Sequence, residues 1–223
     1  MTAPAFYFNF FGQQMKKIID DFMRASPVIP VVVIDDPDHA VALANALLEG
    51  GISVIEITLR SHAALKCIER IARDVPQIQI AVGTVTNAEQ LQTAATAGAR
   101  IAISPGLTEK LLDAAKTIKL PLLPGIASAS ELMLGLEAGL HQFKLFPASV
   151  INGIELAKAL FGPFPEARFC PTGGISLETA SNYLAVPNIL CVGVSSIASR
   201  EDIQNKHWQA ITEKARTAAK LQS

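Results

Sequence analysis

Residues 28–60 read VIPVVVIDDPDHAVALANALLEGGISVIEITLR. Two β-branched runs, 28–34 and 52–57, flank a helix-like stretch at 39–48. Asp36-Pro37 supplies a capping carboxylate followed by the proline favoured in a first helical turn, and Gly50-Gly51 supplies a stop. Strand, helix and strand in so short a span make a crossover unit, which returns the chain to the same end and leaves its two strands parallel. The same pattern continues outward. Further runs occur at 78–82, 101–103, 120–123, 142–145, 168–170 and 189–192, with Ala-, Leu-, Glu- and Lys-rich segments such as 88–97 between them. Ser61, Thr86, Thr108, Ser128 and Ser176 stand at helix starts, and Gly98 and Gly139 at helix ends. Eight such units predict an α/β fold, a closed (β/α)8 TIM barrel over residues 28–223. A doubly wound open sheet would more often carry GxGxxG after its first strand, and none is present. Residues 1–27 form a helical extension whose Phe-rich part, 6–24, is expected to cover one barrel end.

Composition narrows the class. Of 223 residues, 50% are hydrophobic and 17% charged, and 19 Lys plus Arg face 20 Asp plus Glu. That balance lacks the basic excess of a nucleic-acid binder and the high charge of a disordered chain. The longest uncharged run, 179–199, is broken by Asn182, Pro187 and Asn188, so no membrane span is expected. The uncharged start, 1–15, has no basic n-region and does not read as a secretory signal. Cys67, Cys170 and Cys191 are odd in number and form no CxxC, which suits a reducing cytoplasm. The histidines His39, His62, His141 and His207 form neither HxH nor HExxH, so no metal centre is expected. His62 reads as a surface imidazole, Met133 as helix core, and Cys170 and Cys191 as small apolar core residues.

Parallel strands are covered on both faces and should be dry, so a charge inside one needs a reason. Ile52-Ser53-Val54-Ile55-Glu56-Ile57-Thr58-Leu59-Arg60 and Gln142-Phe143-Lys144-Leu145-Phe146-Pro147 break that rule near the strand ends where barrel active sites lie. Strand periodicity puts Glu56 and Thr58 on one face, with Arg60 just beyond on the same side. A buried amine loses solvation of its charged form, and the neutral amine can attack a carbonyl to give a Schiff base. Two readings of Glu56 and Lys144 stay open on the residues alone: a structural ion pair, or acid/base and nucleophile.

The loops add substrate features. Gly83-Thr84-Val85, Ser104-Pro105-Gly106 and Pro124-Gly125-Ile126 follow the third, fourth and fifth strands. Pro171-Thr172-Gly173-Gly174-Ile175 and Val192-Gly193-Val194-Ser195-Ser196 follow the seventh and eighth, the two loops that commonly bind phosphate through backbone N–H groups in such folds. A phosphorylated small molecule is the favoured partner. A phosphosugar isomerase or epimerase would share these loops without needing a lysine inside a strand.

Together, Glu56-Ile57-Thr58-Leu59-Arg60, Gly83-Thr84-Val85, Ile103-Ser104-Pro105-Gly106, Phe143-Lys144-Leu145-Phe146-Pro147-Ala148 and Arg168-Phe169-Cys170-Pro171-Thr172-Gly173-Gly174-Ile175 closely resemble the 2-keto-3-deoxy-6-phosphogluconate aldolase and 4-hydroxy-2-oxoglutarate aldolase family. The resemblance runs, in order, from residue 28 to about 190. It implies a class I aldolase that forms a Schiff base and needs no metal or other cofactor. It also implies a cytoplasmic homotrimer acting on a phosphorylated keto acid in the Entner–Doudoroff route, with related 2-keto-3-deoxy-sugar acids as alternative substrates. By position it makes Lys144 the Schiff-base lysine and Glu56 the general acid/base. Arg60, Thr84 and the backbone around Pro105 would hold the carboxylate, Phe146 would wall the imine, and Thr172 would touch substrate. Gly173, Gly174, Val194 and Ser195 would bind phosphate. One loop departs from the family, which commonly reads Gly-Gly-Ser-Trp where this chain has Gly193-Val194-Ser195-Ser196.

Overall fold

The computed structural model describes residues 5–221, with side chains from residue 13 onward. Helix α1 (Ala5–Arg24) leads into the alternating pattern. Of the Phe-rich stretch 6–24 expected to cover one end of the fold, Phe22 is fully buried together with Ile19 and Met23, while the side chains of Phe6, Phe8, Phe10 and Phe11 lie outside the described ones. Nine strands follow among the described residues: β1 (Val28–Val32), β2 (Val54–Thr58), β3 (Gln79–Gly83), β4 (Ile101–Ile103), β5 (Leu122–Leu123), β6 (Gly125–Ile126), β7 (Gln142–Leu145), β8 (Arg168–Pro171) and β9 (Val192–Val194). The helices are α2 (Ala40–Glu49), α3 (Ala64–Asp74), α4 (Ala88–Thr96), α5 (Glu109–Ile118), α6 (Ala129–Glu137), α7 (Gly153–Phe161), α8 (Leu177–Leu184), α9 (Arg200–Gln204) and α10 (Trp208–Ala219).

The strands are parallel, as the crossover argument requires, but they do not make one closed eight-stranded sheet. They form a six-stranded sheet, β5-β4-β3-β2-β1-β9, and a three-stranded sheet, β6-β7-β8. The expectation of a closed (β/α)8 barrel is corrected accordingly: the fold is α/β with two parallel sheets. The physical reason lies at two seams. Pro124 has no N–H to give a ladder and interrupts the fifth run. Before it, Leu122 and Leu123 pair with Ala102 and Ile103; after it, Gly125 and Ile126 pair with Lys144 and Leu145. At the other seam β8 and β9 meet only through the isolated bridges Phe169–Ile189 and Thr172–Gly193. The run expected as the last strand, 189–192, is largely displaced, and β9 starts at Val192 to pair with β1.

Local chemistry explains the helices. In α3 the buried Ala64, Cys67, Ile68 and Ile71 recur at helical spacing and leave Lys66 and Glu69 to solvent. Asn87, Thr108 and Ser128 each accept a backbone N–H in the first turn of α4, α5 and α6. Ser61 does not cap a helix; its hydroxyl donates to the Ile34 carbonyl at 2.6 Å, and α3 begins three residues later. At α4 the cap is Asn87, one residue past the expected Thr86, whose own N–H donates to Gln90. Met133 is half exposed rather than core.

The two ends of the chain are tied together. β1 pairs with β9, and α10 lies on α2, where Thr212 Oγ1 donates to the Ala46 carbonyl at 3.0 Å. A side chain on Gly50 would stand 2.4 Å from Ala215 Cβ and 2.8 Å from the Thr212 carbonyl. Among the described residues no helix is long and apolar enough to cross a membrane.

Candidate active site

A cavity of about 240 Å³ opens at the C-terminal ends of the strands. Its lining is Val31, Glu56, Thr58, Arg60, Thr84, Pro105, Lys144, Phe146, Thr172, Gly173, Gly174, Ile175, Gly193 and Ser195. Glu56 projects from β2 and Lys144 from β7, so each sheet contributes one charge. Lys144 Nζ lies 3.2 Å from Glu56 Oε1, with the two residues 6% and 2% exposed. Such a pair is costly to dehydrate, and its place in a cavity wall gives both groups something other than each other to contact. Lys144 Nζ also stands 5.2 Å from the centre of the Phe146 ring. Gly83 makes room for the carboxylate, because a side chain there would come within 2.2 Å of Glu56 Oε1.

Arg60 is aimed by a short relay. Its Nε donates to Thr58 Oγ1 at 3.1 Å, and Thr58 Oγ1 donates to the Val32 carbonyl at 2.9 Å. The guanidinium is thus held beside the strand end with its other donors unspent on that relay. Thr84 sits in the left-handed region at φ 63°, where a β-branched residue is strained by about 1–3 kcal/mol. In that conformation Thr84 lines the cavity. At the other end, Gly173 and Gly174 take φ of 102° and 73°, a conformation that glycine adopts without penalty, beside the exposed Ser195. The cavity therefore has a charged end, built by Arg60, Lys144 and Glu56, and a neutral end of turn amides and hydroxyls.

Ten of the eleven residues singled out from the sequence line this one cavity. Val194 does not; it is a β9 residue with its side chain fully buried, in register with Pro30. His62 is exposed and stands outside the lining. Val31, Thr58, Ile175 and Gly193 line the cavity without being among the eleven. Val31 carries no chemical signal in a strand of valines, and only its register opposite Glu56 reveals it.

Cys170 and Cys191 pack behind the site. Burial, then the neighbouring Cys170 and the Glu56 charge, push the Cys191 thiol well above its ordinary value. Burial likewise pushes Cys67 up to about 11. Cys67 and Cys191 are thus protonated at neutral pH, and all three cysteines are free and buried, in keeping with an apolar packing role. Among the described residues no three His, Cys, Asp or Glu gather where they could hold a metal ion.

Comparison with known proteins places this geometry. The KDPG and KHG aldolase family model matches residues 19–214. The chain belongs to that family. It is 47% identical over 203 residues to the 2-dehydro-3-deoxy-phosphogluconate aldolase of Dickeya dadantii, covering 91% of this chain and 95% of that one. It is 44% identical over 203 residues to the KHG/KDPG aldolase of Escherichia coli K12, with the same coverage. Among solved structures it is similar to the KDPG aldolase of Legionella pneumophila, with TM-score 0.87, 46% identity, and 89% and 96% of the two chains covered. That protein was captured with pyruvate as a covalent carbinolamine intermediate. Membership of the KDPG and KHG aldolase family makes this chain a lyase, and sets aside an isomerase or epimerase.

Proposed function

We propose that this aldolase cleaves 2-keto-3-deoxy-6-phosphogluconate to pyruvate and glyceraldehyde 3-phosphate through a Schiff base on Lys144. The observation that carries the reading is the buried contact of 3.2 Å between Lys144 Nζ and Glu56 Oε1 inside a cavity sized for a small ligand. Lys144 passes a proton to Glu56 and attacks the C2 ketone. Glu56 returns protons as the carbinolamine loses water. The resulting iminium withdraws electrons when the C3–C4 bond breaks, and Glu56 takes the proton of the C4 hydroxyl. The enamine is then protonated at C3, and water releases pyruvate from Lys144. Proton transfer of this kind contributes about 10²–10⁴-fold.

The remaining residues position substrate. Arg60 and Thr84, with the backbone at Pro105, hold the carboxylate, and Phe146 walls the imine. Thr172 touches the substrate chain. Gly173, Gly174 and Ser195 receive the phosphate, with Val194 limited to its backbone because its side chain is buried. The similarity to a KHG/KDPG aldolase supports 4-hydroxy-2-oxoglutarate as a second substrate, giving pyruvate and glyoxylate. We further propose a cytoplasmic homotrimer. Exposed Met133, Val150 and Phe161 offer apolar surface for subunit contact, and a measured solution mass of one chain would overturn it.

Borohydride added with pyruvate tests the chemistry. A reduced three-carbon adduct is expected on the peptide holding Lys144, with EDTA leaving turnover unchanged. An active enzyme whose Lys144 stays unmodified would overturn the mechanism.

A further inference from the structure

The segment after β7 and the turn after β8 are stitched residue by residue. Thr172 N donates to the Leu145 carbonyl at 2.9 Å, Ala148 N to the Thr172 carbonyl at 2.9 Å, and Ser149 N to the Gly173 carbonyl at 3.0 Å. Side chains interlock across the same line. A Cβ on Gly173 would meet the Phe146 ring and Pro147 Cα, both at 3.4 Å. A Cβ on Gly174 would meet Ser149 Oγ at 2.0 Å, so the Ser149 side chain fills the place that a Gly174 side chain would take. One continuous strip of chain therefore runs from Lys144, past the ring 5.2 Å from its amine, to the residue that packs on the glycine turn.

We propose that Ser149 is a positioning residue that couples occupancy of the Gly173-Gly174 turn to the setting of Lys144 and Phe146. The inference rests on the assignment of phosphate to that turn. An anion drawn onto the turn amides fixes their orientation, and the turn cannot reorient without moving Ser149, because the space over Gly174 is already filled. Ser149 in turn is three peptide links from Phe146 through Pro147 and Ala148, which are pinned to the same turn. Binding at a remote part of a substrate is thereby converted into placement of the reacting group. Coupling of this kind is reciprocal for affinities, and its usual size is about 5–150-fold.

The experiment uses the two halves of the substrate as separate ligands, pyruvate and inorganic phosphate, on the whole enzyme. Pyruvate affinity, read from the trapped imine fraction, is expected to tighten about 5–150-fold at saturating phosphate. Phosphate affinity should tighten by the same factor at saturating pyruvate. In Ser149→Ala each ligand alone should bind as in the parent enzyme, while the mutual tightening disappears. Independent binding in the parent enzyme, phosphate competing with pyruvate, or a Ser149→Ala enzyme that keeps the tightening would each overturn the coupling. An enzyme that forms imine but binds no phosphate would instead overturn the phosphate assignment on which the coupling rests.

Discussion

Glu56 keeps its position because its neighbour on β3, Gly83, has no side chain. A methyl group there would overlap the carboxylate oxygen that faces Lys144. Gly83→Ala is expected to cost about 1–3 kcal/mol of stability and to reduce kcat at least about 100-fold, since the carboxylate must leave the amine. Urea unfolding and steady-state assays at one temperature separate the two effects. Glu56→Gln should keep the fold, by circular dichroism, and lower kcat by about 10²–10⁴-fold; near-normal turnover would reduce the pair to a structural ion pair. Both charges were legible in the sequence because each breaks a strand that should be dry. Val31 was not, because a valine in a run of valines looks the same whether it faces core or ligand. Thr84 showed as a polar residue after a strand, but its left-handed backbone depends on contacts that no local pattern encodes.

At the scale of elements, crossover units and most helix caps were readable, since both follow from local periodicity and side-chain hydrogen bonding. The sheet partition was not. Pro124-Gly125-Ile126 reads as a turn, yet its last two residues resume strand pairing with a new neighbour. The missing N–H is visible in the sequence; the partner that takes over on the far side is a long-range fact. The last strand slipped for a similar reason: Ile189 makes only an isolated bridge to Phe169, and regular pairing starts at Val192, opposite Val28. α9 and α10 meet through Asp202, whose carboxylate accepts from Lys214 at 2.7 Å, from Ser199 at 2.8 Å and lies 3.3 Å from His207 Nδ1. The Lys214 hydrogen bond leads in outweighing burial and holds Asp202 down to about 2. A folded-state value below the unfolded one means stability that is present above about pH 4 and is lost as pH falls towards 2. Asp202→Asn is accordingly expected to cost about 1–2 kcal/mol at pH 7. In thermal melts, the difference should vanish across that acid window.

For the whole molecule, closure between first and last units matters most. α2 and α10 approach so closely at Gly50 that Gly50→Ala should cost about 1–3 kcal/mol. Imine formation with pyruvate well below the melting temperature should be unchanged, since Gly50 lies outside the cavity lining. A loss of imine formation in a folded protein would show that this closure reaches the site. The division into two sheets also bears on the site. Glu56 and Lys144 are 88 residues apart and stand on different sheets, whose strands are linked through the backbone at the Pro124 break and at two isolated bridges. Their 3.2 Å separation is thus a gauge of how the two sheets sit against each other, and in the proposed mechanism turnover reads that gauge. A strain placed on either seam, however far from the cavity, would be recorded in the rate before it appeared as unfolding.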